Sequence, residues 1–184
     1  MGQTTPEDLD KSALRGEPSH VWRAGQERRL DMILKAAGHR LDGRVLVDGC
    51  GVGMYVNHLL PHASQVFGLD IELPRIRETF AYTPNVVNSV GENLPFANDS
   101  FELVLSHEVL EHVRDDAATI REIVRVLKPG GRLAVSDMMT RGRFSAEERA
   151  DLGAWSGCIT GAEDVARYAE AMREAGFSEI SIVD

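Results

Sequence analysis

Three glycines at alternate positions follow a short apolar run and an acid. The apolar residues 45–47 lead to Asp48, and Gly49, Gly51 and Gly53 come directly after it. Glycine tolerates positive φ and lets backbone N–H groups approach a ligand without a Cβ in the way. The next acid at a predicted strand end, Asp70, stands where a carboxylate can accept both hydroxyls of a ribose. The glycines and Asp70 together predict a site for a nucleoside-containing cofactor.

The spacing of the glycines bears on which cofactor this is. The dinucleotide fingerprint G-x-G-x-x-G places a pyrophosphate at a helix N-terminus. Here the glycines alternate, and no second glycine motif appears. This pattern favours a cofactor without a phosphate to neutralise, such as S-adenosylmethionine. On the glycines alone, a tight strand-to-helix turn with no ligand stays an alternative.

The segment HEVLEH carries the residues that could move a proton. His107 and Glu108 follow a predicted strand, where an acceptor would approach. Neutral imidazole, with an ordinary pKa near ~6.5, suits the removal of a proton from an oxygen or nitrogen nucleophile. A histidine that only lines or caps the pocket is the alternative. The spacing of His107 and His112 fits neither H-E-x-x-H nor H-x-x-E-H, so we predict no metal site.

Alternating strand and helix patterns would position these residues. Strands are predicted at 44–48, 65–70, 85–88, 101–106, 132–137 and 179–183, and helices at 20–37, 55–60, 73–81, 109–127 and 162–175. The segment 128–131, Lys-Pro-Gly-Gly, should end the longest helix. We therefore predict an α/β fold, a doubly wound, mostly parallel sheet with helices on both faces. Ligands of such sheets sit beyond the carboxyl ends of the strands.

Length, charge and cysteine usage narrow the class of protein. The 184 residues suit a core domain at 41–184 covered by an N-terminal arm and helix at 1–40. The formal net charge of −9 argues against nucleic acid and anionic lipid as partners. Apolar stretches are far shorter than the ~20 residues of a membrane span. Two cysteines and a polar start without a signal-peptide pattern lead us to expect a reduced, cytoplasmic protein.

Four segments together resemble the class I S-adenosylmethionine-dependent methyltransferases, in particular the type 11 methyltransferase domain. They are DGCGVG, VFGLDI, VGENLPFANDSFELVLSHEVLEHV and REIVRVLKPGGRLAVSD, and they lie within about residues 41–137. The resemblance implies that a loop lies under the methionine and ribose parts of the cofactor, formed by Asp48, Gly49, Cys50, Gly51 and Gly53. It says little about the methyl acceptor.

The same resemblance assigns the remaining cofactor contacts. Asp70 would hold the ribose hydroxyls and Ile71 would pack on the adenine, which Gly91 and Glu92 would recognise. Ser106 would end a strand beneath the sulfonium, with His107 opening toward it. Many relatives have Asp where this chain has Val90, which implies a weaker grip on the adenine amine.

The function implied is methyl transfer from S-adenosylmethionine to a small-molecule acceptor by in-line displacement, giving S-adenosylhomocysteine without a metal. The sequence does not identify the acceptor, or whether O, N, C or S is methylated. Trp22, Arg23 and Trp155 would line its pocket or belong to the core, and Asp137 would face the same cleft or cap a turn.

Three other functions compete with this interpretation. The C-terminal stretch from 155 resembles arsenite methyltransferases, in which a cysteine at the place of Cys158 binds arsenic. Arsenic(III) prefers two or three thiolates, and this chain offers only Cys158 and Cys50. A dehydrogenase would need a Tyr-x-x-x-Lys pair, but Tyr168 is followed by Met172.

The third rival is a cofactor-binding partner subunit without its own activity. Its support is the sequence after the predicted strand 179–183, where class I enzymes normally add a seventh strand that this chain lacks. The open edge of the last strand would then be covered by a second copy, making a homodimer, or by the N-terminal arm, or be left short and charged.

Overall fold

Five of the apolar runs form one parallel sheet in the computed structural model, which describes residues 20–142, 145, 147 and 162–183. The strands are β1 (Arg44–Asp48), β2 (Gln65–Asp70), β3 (Val86–Asn88), β4 (Phe101–His107) and β5 (Leu127–Ser136), in the order β3-β2-β1-β4-β5. A small parallel pair joins β6 (Met139–Thr140) to β7 (Glu163–Asp164). The predicted doubly wound parallel sheet is confirmed.

The helices are α1 (Ala24–Ala37), α2 (Met54–Leu59), α3 (Leu73–Thr79), α4 (Asp116–Val126) and α5 (Val165–Ala175). Side-chain caps fix the starts of the last two, since Asp115 accepts the Ala118 N–H and Asp164 accepts the Ala166 N–H. Gly176 ends α5 at a φ of 111°, in the left-handed region that suits glycine.

Alternation along the central strands supplies both faces of the sheet with core residues. Val45 and Val47 of β1 pack with Leu30 and Ile33 of α1 on one face. Leu46, between them, belongs to the cluster on the opposite face, together with residues of β4 and α4. Successive side chains of a strand point to opposite faces, so helices cover both sides as predicted.

The strand register brings the predicted site residues to one edge of the sheet. Asp48 at the end of β1 is paired with Leu69 of β2 and with Ser106 of β4, and His107 is paired with Ser136 of β5. The chain runs outward from β1 to β3 in one direction and from β4 to β5 in the other. The carboxyl ends of β1 and β4 are therefore the point where a doubly wound sheet binds its ligand.

Two predicted elements differ from the structure. Residues 179–183 form no strand, since residues 177–183 have no regular secondary structure and Ile182 and Val183 are exposed. None of the described strands pairs with them. The predicted helix 109–127 is shorter, since residues 110–112 form a 3₁₀ turn and α4 starts only after the Asp115 cap.

Smaller differences concern the ends of elements, and some predictions fall outside the described residues. The N-terminal helix begins at Ala24 rather than His20. The longest predicted helix ends at Val126, and the segment 128–131 lies within β5. The N-terminal arm, Trp155 and Cys158 fall outside the described residues, so the division at residue 40 stays a prediction.

Candidate functional site

A cavity of about 910 Å³ lies at the carboxyl ends of β1, β2 and β4. It is lined by every residue predicted for the site except Gly53 and Ser106. The N-terminal part of α1 also lines it, through residues that include Gln26 and Arg29. This volume lies within the usual range of small-molecule sites.

The glycine loop requires its glycines for two different reasons. Gly49, Gly51 and Gly53 all have positive φ, at 65°, 53° and 84°. A Cβ added at Gly49 would also come within 2.3 Å of Val109 Cγ2. Gly53 does not line the cavity but forms the N-cap of α2. The alternating glycines therefore serve the turn itself as well as the approach of a ligand.

Asp70 ties the glycine loop to the end of β2. Its Oδ2 accepts the Gly51 N–H and its Oδ1 accepts the Glu72 N–H, both at 2.8 Å. Asn88 Nδ2 donates to the carbonyls of Asp70 and Ile71. A carboxylate has about four acceptor sites, so both oxygens keep the capacity to accept hydroxyl groups of a ligand.

Asp48 is a buried acid beneath the same cavity. Burial, followed by the charges of Asp70, Glu92 and Asp137, raises its pKa to about 7, although the Gly49 backbone lowers it. Its Oδ2 is buried without a hydrogen-bond partner among the described residues. A buried oxygen without a partner attracts a hydrogen-bond donor or a cation, which fits the ammonium and sulfonium charges of S-adenosylmethionine.

Cys50 packs inside the loop as a buried, protonated thiol. Its Sγ lies 3.8 Å from Thr79 Oγ1, and burial raises its pKa to about 12. A Cβ at Gly68 would come within 3.0 Å of this sulfur. Since only the thiolate is a strong nucleophile or metal ligand, Cys50 acts here as a small buried side chain.

His107 presents a basic nitrogen at the cavity. Its Nδ1 lies 3.0 Å from the Ser136 carbonyl, which can only accept, so Nδ1 carries the proton and Nε2 keeps its lone pair. Burial lowers the pKa of His107, an effect that Arg29 increases and that Glu108 and the Ser136 carbonyl oppose. The imidazole is therefore neutral near pH 7 and can accept a proton at Nε2.

Glu108 and Ser106 flank this histidine in different environments. Glu108 is exposed, has a φ of 55°, and places its Oε1 3.8 Å from His107 Nε2. Ser106 is fully buried below the cavity, and its hydroxyl has no partner among the described residues. Glu108 therefore lines the cavity, whereas Ser106 does not.

A pair of buried acids, Glu111 and Asp137, supports the loop after β4. Both carboxyl groups are buried, and Asp137 Oδ1 accepts the Val109 N–H at 3.2 Å. Burial, and then Asp137, raise the pKa of Glu111 to about 9, so Glu111 is protonated at neutral pH, although neither of its carboxyl oxygens makes a well-aligned hydrogen bond among the described residues. Burial raises the pKa of Asp137 to about 6, whereas Glu111 and the backbone N–H groups of the loop lower it.

Sequence reasoning missed Glu111, Arg29 and Tyr55 as parts of this region. Their positions depend on how α1 and the loop after β4 pack against the sheet, which no local motif records. The only signal at Glu111 is a charged residue directly after the apolar pair Val109 and Leu110. Among the described residues, no group of three or more His, Cys, Asp or Glu side chains is arranged to hold a metal ion.

Known proteins resemble the region that forms this cavity. Residues 46–135 match the family model described as a methyltransferase domain. The demethylmenaquinone methyltransferase of Corynebacterium kroppenstedtii is 33% identical over 134 residues, covering 72% of this chain and 55% of the relative. The arsenite methyltransferase of Halobacterium salinarum is 32% identical over 124 residues, covering 64% of this chain and 32% of the relative.

Solved structures support the same fold. The crystal structure of a putative methyltransferase from Bacillus halodurans has a TM-score of 0.72 and 21% identity, covering 82% of this chain and 69% of that one. The chain spans only about half the length of its curated relatives: the match covers 55% of the Corynebacterium protein. In the part of the chain that the structure describes, no helix has the length and apolar character needed to cross a membrane.

Proposed function

Because this chain carries a class I S-adenosylmethionine-dependent methyltransferase domain, we propose that it methylates a small-molecule acceptor by in-line displacement. When bound, S-adenosylmethionine supplies an activated methyl group: the acceptor's lone pair forms a bond to the methyl carbon while the carbon–sulfur bond breaks, leaving S-adenosylhomocysteine. The observation that carries the proposal is the single cavity that joins the glycine loop and Asp70 to His107.

The chain's own residues would bind the cofactor on one side of this cavity. Backbone groups of the loop at Gly49 and Gly51, which line the cavity, would approach the ligand. Asp70 would accept the ribose hydroxyls, and Asp48, whose Oδ2 has no partner among the described residues, would face the cationic part. Ile71, Gly91 and Glu92 would contact the adenine. Holding both reactants in line and away from water can lower the barrier by up to ~7–11 kcal/mol.

His107 would act as the general base. Its Nε2 carries the lone pair and lines the cavity, so it can take the proton that an O–H or N–H acceptor loses on methylation. Glu108, next to Nε2, would stabilise the imidazolium that forms. The proton thus moves from the acceptor to His107, and the electron pair of the broken carbon–sulfur bond stays on sulfur.

Calorimetry with S-adenosylmethionine tests the cofactor site. Asp70→Asn should weaken binding about 10- to 100-fold, because hydrogen bonds to a charged acceptor contribute about 1.5–3 kcal/mol each. Asp31→Asn, an exposed acid of α1, is the matched control and should bind like wild type. Absence of binding by wild type, or full affinity in Asp70→Asn, contradicts the proposed cofactor site.

A kinetic experiment tests the base. Release of S-adenosylhomocysteine is followed over a panel of metabolites, and His107→Gln should lower kcat by about 10²–10⁴-fold while cofactor affinity stays unchanged. A kcat like that of wild type for a hydroxyl or amine acceptor would remove His107 from the mechanism. A wild type that binds the cofactor but methylates no acceptor would favour the partner-subunit alternative.

Two relatives of the chain take different acceptors by name, demethylmenaquinone and arsenite, so relatives alone do not select one. Arsenite is the weaker candidate here, because burial raises the pKa of Cys50 to about 12 and this thiol is a poor arsenic ligand at neutral pH. An organic acceptor fits the described residues better.

A further inference from the structure

The acceptor side of the cavity carries positive charge in a chain that is acidic overall. Arg29 of α1 lines the cavity, whereas the formal net charge of the chain is −9. Arg75, which also lines the cavity, already has a carboxylate partner, because its Nε lies 3.0 Å from Glu72 Oε2. No acidic side chain pairs with Arg29 among residues 20–142 and 162–183 as far as they are described.

Arg29 lies close to two groups of the proposed acceptor site. It acts electrostatically on the His107 imidazole, whose proton affinity it decreases, and on the nearby Tyr55 hydroxyl. The Tyr55 ring packs edge-on against His107, with ring centroids 4.7 Å apart. A guanidinium, a phenol and a neutral imidazole therefore share one end of the cavity with the exposed carboxylate of Glu108.

The aromatic packing behind this group fixes its geometry. Trp22 meets the Tyr55 ring edge-on at 5.1 Å and stacks on His58 at 3.7 Å. The Tyr55 hydroxyl is buried and makes no well-aligned hydrogen bond within the described residues. A buried donor and a cation without an acidic partner both need an acceptor group, and a ligand oxyanion would satisfy both.

Charged side chains of both signs line the cavity. Asp48, Asp70 and Glu92 line the side of the glycine loop, where the cationic cofactor would bind. Arg29 lines the side of α1 and His107, together with the exposed acid Glu108, whose Oε1 lies 3.8 Å from His107 Nε2. A cationic acceptor would face both the sulfonium and Arg29, whereas an anionic acceptor would be attracted by both.

We propose that the methyl acceptor is a small organic acid whose carboxylate pairs with Arg29 and the Tyr55 hydroxyl, with its nucleophilic group toward His107. This inference rests on the proposed function and adds a substrate class to it. Arginine suits the role because its planar guanidinium binds a carboxylate through two parallel N–H bonds.

Binding of matched acids and amides tests this inference without requiring turnover. The probes are acetate, benzoate and 4-hydroxybenzoate, each compared with its primary amide, titrated into the protein alone and into protein saturated with S-adenosylhomocysteine. We expect at least one acid to bind wild type about 10-fold or more tightly than its amide, as a charge-assisted pair requires.

Variants of α1 locate the anion site. Arg29→Gln should abolish the preference for acid over amide, and Arg29→Lys, which keeps the charge, should restore part of it. Arg28→Gln is the matched control, because Arg28 is exposed on the same helix and does not line the cavity. Thermal unfolding of each variant establishes that it is folded before the titration.

The outcomes separate this inference from the function on which it rests. Equal binding of every acid and its amide to wild type, or an unchanged preference in Arg29→Gln, overturns the acid as substrate class while cofactor binding stands. Loss of cofactor binding by wild type in calorimetry overturns the proposed function instead. Acid preference in wild type saturated with S-adenosylhomocysteine, lost in Arg29→Gln and kept in Arg28→Gln, supports the inference. Acid preference that wild type shows only without S-adenosylhomocysteine overturns it, because Arg29 would then bind the carboxylate of the cofactor itself.

Discussion

The buried acids Glu111 and Asp137 should make the free energy of unfolding depend on pH. A single substitution, Glu111→Gln, should remove most of this dependence. Glu111 is 1% exposed, and burial followed by the nearby Asp137 raises its pKa from the ordinary 4.5 to about 9. At neutral pH the folded protein therefore keeps a proton on Glu111, which the unfolded chain has already lost. Glu111→Gln replaces this carboxyl by an amide of the same shape that donates without titrating.

The sign and size of the effect follow from proton linkage. Above the unfolded pKa of 4.5 and below about 9, the folded state binds one proton more than the unfolded state, so the free energy of unfolding falls as pH rises. The slope approaches about 1.4 kcal/mol per pH unit. Between about pH 6.5 and pH 8.5 the free energy of unfolding therefore falls by at most about 3 kcal/mol. Asp137, with its pKa raised to about 6, adds a slope of the same sign mainly below this interval.

Urea unfolding followed by circular dichroism across this pH interval measures the difference. We expect Glu111→Gln to lack most of the slope and to be more stable than wild type at the alkaline end. Glu170→Gln, at an exposed position of α5, is the control and should run parallel to wild type. If wild type and Glu111→Gln also ran parallel, Glu111 would not hold the extra proton, and the carboxyl pair as described would be wrong.

Three further predictions test the loop, the second cysteine and the sheet edge. Gly49→Ala should lower the free energy of unfolding by about 2 kcal/mol or more, from its positive φ and the contact with Val109. Gly25→Ala, whose added Cβ meets nothing within 4 Å, should raise it by up to about 1 kcal/mol in the same urea titration. Cys158→Ser should bind S-adenosylmethionine like wild type, and wild type should release no S-adenosylhomocysteine on addition of arsenite; arsenite-stimulated release lost in the serine variant would make arsenite the acceptor. In the described residues β5 has β4 as its only neighbour. If a second copy covers this edge, sedimentation velocity should show concentration-dependent dimers, and a monomer at every concentration contradicts that pairing.

The strands nearest the cofactor site could be predicted because each is a short apolar run that ends on an acid. The bounds of β1 and β2 agree with the prediction at both ends, Arg44–Asp48 and Gln65–Asp70. Their side chains are buried on both faces of a parallel sheet, which produces a nearly continuous apolar run. The order of the motifs along the chain then predicted which strand ends meet.

The segments that were predicted wrongly depend on contacts distant in sequence. The apolar spacing of residues 109–113 resembles a helix, but the Asp137 carboxylate binds the Val109 N–H and the Asp115 cap starts α4 later. The alternation around Ile180 and Ile182 resembles a strand, yet a strand forms only beside a partner, and none of the described residues pairs with it. The local hydrophobic pattern of a segment predicts neither the contact with Asp137 nor the absence of a partner strand.

The two sides of the cavity also differ in how far the sequence predicts them. The cofactor side is built from residues at the ends of β1 and β2 and just after β3, where each contact belongs to a short motif that sequence reasoning can read. The acceptor side joins α1 to the end of β4, residues that are about eighty positions apart and come together only because Leu30 and Ile33 pack α1 against the sheet. An arginine such as Arg29 on an amphipathic helix resembles any solvated surface residue until that packing is known. The acceptor class therefore had to come from charge and geometry in the folded cavity, and for that reason its test is the binding of an anion rather than the presence of a motif.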